Sequence, residues 1–320
     1  MHKSAECVTP RHPDKLCDRI SDAILDACLE QDPMSRVAIE TMGGHGIITI
    51  TGELTTKAYV NVHDIVRTIV GTQYGIQTNI VQQSPEIANG VDTGGAGDQG
   101  IMNGYACNDN EDHIPQELYL ARSLCKFLYN LHPYDGKTEI SIDNDHVITA
   151  IVASFQNVPK EELEFHIGEW LKINLFPRVD KLTIIANGAG DWKIGGFEAD
   201  TGVTGRKLVI DNYGPQIPVG GGAFSGKDAT KVDRSAAYMA RKIAVDVLKE
   251  MNAKEVFVKI AYAIGVAEPV MVTAVADGVE VPINDYDLKP KSIIDFLELR
   301  KPQFEKTAQW GHMGNGFKWD

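Results

Sequence analysis

The densest chemical signal in the chain is Gly220-Gly221-Gly222-Ala223-Phe224-Ser225-Gly226-Lys227-Asp228. Backbone free of side chains can approach phosphate oxygens closely, and a lysine after it neutralises them. From Gly221 the run nearly matches the phosphate-loop pattern G-x-x-x-x-G-K-[ST], with Asp228 where the hydroxyl residue belongs. Residues 213–218 before it read as loop and not as the buried strand of a phosphate-loop NTPase, so an ordinary glycine-rich turn stays open. Arg206, Lys207, Lys227 and Lys231 gather around this stretch, with Asp200, Asp211 and Asp233 interleaved. One reading is a polyphosphate site, cations holding oxygens and a carboxylate holding Mg²⁺; the other is a solvated network of surface charge.

Two smaller groups add to this. Arg11-His12-Pro13-Asp14-Lys15 opens a helical pattern, and helix N-termini attract anions. Gly95-Ala96-Gly97-Asp98-Gln99-Gly100 combines small residues with a carboxylate suited to sugar hydroxyls, or is simply a turn.

The elements that must position these residues follow from periodicity. Leu16, Ile20, Ala23, Ile24, Ala27 and Cys28 recur at helical spacing after Pro13, which predicts a helix to about Glu30. Strand-like runs at 37–41 and 46–51 form a hairpin, and a second helix covers about 62–70. The order then recurs twice: helix 115–130, strands 139–142 and 147–155, helix 160–173; then helix 231–250, strands 256–261 and 270–276, helix 292–299. Three rounds of helix, strand pair and helix predict three similar α+β units, divided at 1–92, 93–193 and 194–320. Residues 83–104 and 186–231 break the periodicity and read as functional loops.

The chain has 320 residues, 43% of them hydrophobic, enough for one large core or several smaller ones. A net charge of −13 argues against nucleic acid or an anionic membrane as partner, and makes the local cationic cluster more informative. Five scattered cysteines without a C-x-x-C pair suit reduced thiols. With no apolar leader and no long apolar run, a cytoplasmic protein is expected.

Taken together, His12-Pro13-Asp14-Lys15, Gly95 to Gly100, Asp200 through Lys207, Gly220 through Ser235, and Tyr262-Ala263-Ile264-Gly265-Val266-Ala267-Glu268-Pro269 resemble the methionine adenosyltransferase (S-adenosylmethionine synthetase) family over nearly the whole chain. The resemblance implies three α+β domains related by pseudo-threefold symmetry, each a β-sheet with helices on one face. It implies attack of methionine sulfur on C5′ of ATP, release of tripolyphosphate, and its hydrolysis to phosphate and diphosphate. It assigns catalysis to His12, Lys137, Arg206, Lys227 and Lys231. ATP contacts fall to His12, Lys137, Arg206 and Lys227 together with Asp98, Asp135, Trp192 and Lys207. Methionine contacts fall to Glu53, Gln83, Asp200 and Lys231. Two Mg²⁺ ions would be held by Asp14 and Asp233, and K⁺ by Glu40. Active sites between subunits of a homodimer or homotetramer are also implied.

The chain departs from the family at three places. Arg11 stands where glycine is usual, Asp191 where a basic residue is usual, and the segment between Gln83 and Gly97 is several residues shorter. A non-catalytic partner subunit would lose phosphate lysines or metal carboxylates, and none is missing. An NTP hydrolase with another acceptor would need the absent Ser/Thr of the phosphate loop.

Overall fold

The computed structural model describes residues 2–83, 94–174 and 182–320. Along the chain run β1 (Lys3–Val8), α1 (Pro13–Gln31), β2 (Arg36–Gly44), β3 (Ile47–Thr55), α2 (Val62–Val70), β4 (Gly75–Val81) and β5 (Gly100–Cys107). Then come α3 (Gln116–Leu131), β6 (Gly136–Ile142), β7 (Ile148–Phe155), α4 (Lys160–Ile173), β8 (Thr183–Ala186) and β9 (Gly202–Val203). The last part holds α5 (Leu208–Asp211), α6 (Val232–Met251), β10 (Glu255–Tyr262), β11 (Met271–Ala276), β12 (Val279–Val281), α7 (Pro290–Phe296) and α8 (Phe304–Trp310).

The strands form three four-stranded sheets ordered β9-β2-β3-β4, β1-β6-β7-β8 and β5-β10-β11-β12. Each is built on an antiparallel hairpin: β2/β3, β6/β7 or β10/β11. In each, a strand from a distant stretch of chain pairs antiparallel with the hairpin's first strand. The fourth strand runs parallel to the hairpin in the first two sheets and antiparallel in the third. The three rounds expected from periodicity are therefore three α+β layers of one plan.

The long helices α1, α3 and α6 pack on these sheets. Cys17, Ile20, Ile24 and Leu25 of α1 and Val232, Ile243 and Ala244 of α6 share one apolar core with Ile39, Ile50, Val258 and Ile260. Leu120, Leu124 and Leu128 of α3 join Ile140, Ile151, Phe155 and Trp170 in a second core. Each such fully buried aliphatic chain contributes roughly 1.5–3 kcal/mol. The helix expected at 292–299 stops at Phe296, and Glu298 adopts φ +56° in the turn that follows. Within the loop expected at 83–104, β5 begins at Gly100. Its Gly104 lets α6 pack directly on the strand, since a Cβ there would lie 2.1 Å from the Ala240 backbone.

Candidate active site

Asp14, Asp18, Asp22 and Asp26 recur every four residues, so they share one face of α1. Each fixes backbone from beyond residue 200. Asp14 accepts from the Val203 amide at 2.9 Å, Asp18 from Gly205 at 2.8 Å and Asp22 from Gly226 at 2.8 Å. Asp26 accepts from the amides of Gln303, Phe304 and Glu305, at the start of α8. Burial drives the Asp18 carboxyl up to about 7 against the opposing Lys15, and that of Asp26 to about 6.

The loops held this way complete the outer edge of β2. Residues 202–203 pair with Met42 and Gly43, and the Thr204 amide reaches the Thr41 carbonyl at 2.9 Å. Further along the same edge, Ile39 donates to the Gly226 carbonyl and Asp228 to that of Val37, both at 3.0 Å. Asp228 Oδ2 in turn accepts from the Val37 amide at 2.7 Å. Gly226 has φ +81°, and a Cβ there would sit 1.9 Å from the Ile39 carbonyl oxygen, so this approach requires glycine.

The expected site residues fall into two groups. In the first, His12 caps α1 by accepting the Asp14 amide on Nδ1 at 3.2 Å. Asp14 is buried, bonds Lys207 Nζ, and lies 3.7 Å from Arg206 Nε. Burial alone would raise the Asp14 carboxyl, but Lys207 and the Val203 amide hold it below its ordinary value. Burial and then Lys207 depress His12 to about 4, so the ring is neutral at pH 7. With Nδ1 accepting, the neutral tautomer carries its proton on Nε2. Lys137 on β6 pairs with Glu6 at 2.8 Å and lies opposite Ser154. Ser154 Oγ accepts from Trp192 Nε1 at 3.0 Å, which puts the indole beside Lys137. Asp135 is buried and anchors the Gly196 amide at 2.8 Å; burial raises its carboxyl. Asp200 is exposed next to this loop.

The second group lies further along the β2 edge. Lys227 Nζ is 2.7 Å from Asp233 Oδ2, and Lys231 Nζ is 2.5 Å from Asp228 Oδ2. Glu40 is exposed on β2; partial desolvation raises its carboxyl and nearby Lys227 opposes that. Glu53 lies opposite Ala38, and Thr51 opposite Glu40, so both glutamates share the outer face of the first sheet. The Gln83 amide donates to Thr55 Oγ1, and its side-chain oxygen is buried with no hydrogen-bond partner among the described residues. Asp98 is exposed and accepts from the Gln99 amide, in a loop docked by the Ala96 and Gly265 backbone bonds. Among the described residues, no hydrogen bond or ion pair joins the two groups.

The sequence reading missed what holds the second group in place. Arg234, fully buried, makes a two-point pair with Asp22 at 2.6 and 3.0 Å and donates to the carbonyls of Phe224 and Lys227. The four-residue aspartate spacing of α1 was the available signal. Asp211, counted with the cationic cluster, is instead the buried partner of Lys15. Asp191 caps α4 by accepting the Lys160 amide at 2.9 Å, which accounts for an acidic residue before Trp192. Arg11 lines a cavity of about 300 Å³ with Tyr74, Tyr134 and Phe197. The shortened stretch after Gln83 lies mostly outside the described residues. All five cysteines are buried free thiols, and no helix of the described residues is long and apolar enough to cross a membrane.

Comparison with known proteins finds one family along nearly the whole chain. Residues 1–90, 93–191 and 194–320 match the N-terminal, central and C-terminal domain models of S-adenosylmethionine synthetase. An S-adenosylmethionine synthase of Petrotoga mobilis is 39% identical, covering 99% of this chain and 95% of its own length. That of Bifidobacterium adolescentis is 38% identical with the same coverage. That of Clostridium tetani is 40% identical over 97% of this chain and 93% of its own. The aligned stretches are longer than the chain itself, so these relatives carry residues it lacks. With all three domain models in order and relatives matched nearly end to end, the chain belongs to the S-adenosylmethionine synthetase family.

Proposed function

We infer that the two groups of residues are the two halves of one methionine adenosyltransferase site, each half completed by the facing half of a second copy. Matched to its relatives over nearly all of their length, the chain is a methionine adenosyltransferase, making S-adenosylmethionine from ATP and L-methionine. The observation that carries the two-half reading is that phosphate-type cations occur in two separate clusters, each already neutralised by its own carboxylate. The outer face of the first sheet, which carries Glu40 and Glu53, also exposes Met42, Ile47 and Val81. Apolar side chains gathered on a sheet face suit burial against another copy.

In this reading the sulfur of methionine attacks C5′ directly and needs no base, because it has no proton to lose. The barrier lies in the charge gathering on the departing triphosphate, so preorganised cations supply most of the catalysis. Lys137, Arg206 and Lys207 face it from one half, Lys227 and Lys231 from the other. His12, neutral and protonated on Nε2, donates a hydrogen bond to the leaving oxygen. Trp192 stacks on adenine and Asp98 takes ribose hydroxyls, while Asp135 holds the loop that leads to Asp200. Glu53, Gln83, Asp200 and Lys231 hold methionine's ammonium and carboxylate.

Asp14 and Asp233 fit Mg²⁺, because both offer hard carboxylate oxygens beside phosphate-binding cations. Glu40 suits K⁺ as an accessible carboxylate next to Lys227. The metals would neutralise phosphate oxygens, and the lysines now bound to Asp14 and Asp233 would turn to the triphosphate. We place the enzyme in the cytoplasm as a homodimer or tetramer of three-unit chains divided at 1–92, 93–193 and 194–320, with neither nucleic acid nor membrane as partner.

Subunit mixing tests this. Asp14→Asn and Lys227→Ala chains, each inactive alone, are unfolded, mixed and refolded. Sites shared across a dimer return about a quarter of wild-type activity, because half the dimers are mixed and each carries one intact site. No recovery from well-folded mixed dimers would put both groups in one subunit's site.

A further inference from the structure

Away from both groups, His132, Glu162 and His166 meet on the central unit. His132 caps the C-terminal end of α3, and Glu162 and His166 stand one turn apart in α4. Glu162 Oε1 is 3.6 Å from His132 Nε2 and 3.7 Å from His166 Nε2. Ligand atoms of all three lie within 4.8 Å of one another. The two imidazole rings sit 5.2 Å apart. His132 Nε2 is buried, with no hydrogen-bond partner among the described residues.

We propose that His132, Glu162 and His166 form a binding site for a divalent transition-metal ion such as Zn²⁺, separate from the catalytic metals. Two imidazoles and one carboxylate are a borderline-soft donor set, which suits Zn²⁺ and its neighbours over Mg²⁺ or K⁺. Bonds of about 2.0–2.1 Å arranged tetrahedrally put ligand atoms about 3.3 Å apart. The observed His–Glu spacings exceed this by only a few tenths of an ångström, within the reach of side-chain rotation. An ion here would give the buried Nε2 of His132 the partner it lacks. Burial, with His166 adding and Glu162 opposing, also keeps the His132 ring below its ordinary value, so the neutral, ligating form prevails at pH 7. A bound ion would tie the end of α3 to α4. The turn after α3 leads within three residues to Asp135, so the site would stiffen the base of the first group.

The plainer account is an ion pair between Glu162 and one protonated histidine. Titration of the full-length protein with Co²⁺ in excess Mg²⁺ separates the two, since Mg²⁺ occupies the hard-oxygen sites. Wild type should bind one Co²⁺ with visible d–d bands of tetrahedral intensity, and Zn²⁺ should displace it and raise Tm. His166→Ala should abolish the bands and weaken binding at least about tenfold, and Glu162→Gln should weaken it less. Both variants should retain wild-type turnover of ATP and methionine, which shows that they fold. Bands and affinity unchanged in His166→Ala, or no bands in wild type, would overturn the proposal.

Discussion

Lys227 and Asp233 face each other at the start of α6, with Nζ 2.7 Å from Oδ2. Lys207 and Asp14 repeat the arrangement at the start of α1. A cation suited to triphosphate and a carboxylate suited to a metal thus neutralise one another in both groups. Substrate and metal would break each pair and give both members new partners. Reorganisation inside the site is then an exchange of ionic partners, without movement of the elements beneath.

Lys227→Ala should lower kcat more than it raises the KM for ATP. The lost contact meets charge that develops as the C5′–O bond breaks, so the cost is about 2–4 kcal/mol, or about 30- to 1,000-fold in rate. The KM for methionine should hardly change. Steady-state kinetics, with Tm as a control for folding, decides the matter. A variant whose only defect is a raised KM for ATP would show that Lys227 binds ground and transition states alike.

Asp14→Asn and Asp233→Asn should each move the Mg²⁺ activation curve to higher concentration and cut turnover. Loss of a carboxylate also frees its lysine, so ATP binding without metal should tighten or hold while turnover falls. An unchanged Mg²⁺ titration at wild-type rate would remove that residue from the metal site.

Asp22→Ala leaves the Arg234 guanidinium buried without its counter-charge. Removing one member of such a pair typically costs about 3–5 kcal/mol. Arg234 also holds the carbonyls of Phe224 and Lys227, so turnover should fall with stability. Urea unfolding gives the first quantity. A loss below about 1 kcal/mol would mean that the pair is worth no more than an exposed one.

His12 has a folded pKa of about 4, against about 6.5 in an unfolded chain. Between those values the unfolded chain binds the extra proton, so His12 makes stability fall as pH drops through this window. Asp18 and Asp26 act with the opposite sign: what they contribute below about pH 4 is lost as pH rises through about 7 and about 6. His12→Asn should therefore flatten the acid-side decline in Tm between pH 6.5 and 4. NMR titration of the His12 ring in wild type should find its midpoint near 4; a midpoint near 6.5 would refute the neutral-donor role.

The three rounds of helix and hairpin were legible because their signals are local. The apolar spacing of α1, α3 and α6 and the alternation in the hairpins lie within a few residues of one another. β1, β5 and β9 were not legible, since what makes them strands is a partner far away in sequence. Gly104 and the two-residue length of β9 weaken any local pattern further. In the site, the residue types around Lys227 pointed to phosphate chemistry without any fold. The division into two groups did not show, because Arg206 and Lys227 sit close in sequence yet dock at different points of the β2 edge. Arg234 falls inside the Gly220–Ser235 stretch without standing out there, since only its burial beside Asp22 reveals what it does.

The borrowed strand in each sheet also constrains how the molecule comes into being. As the chain leaves the ribosome, β1 emerges first but has nothing to pair with until β6 is made. β2 waits for β9, and β5 waits for β10. The sheet that holds β1 can close only once β8 is made, the sheet on β2 only once β9 follows, and the sheet that holds β5 only when the last third has emerged. A nascent chain halted before residue 255 holds an unpaired β5 edge, which invites association with other chains. Once closed, the same exchange ties the three thirds into one cooperative unit that gains or loses its structure together.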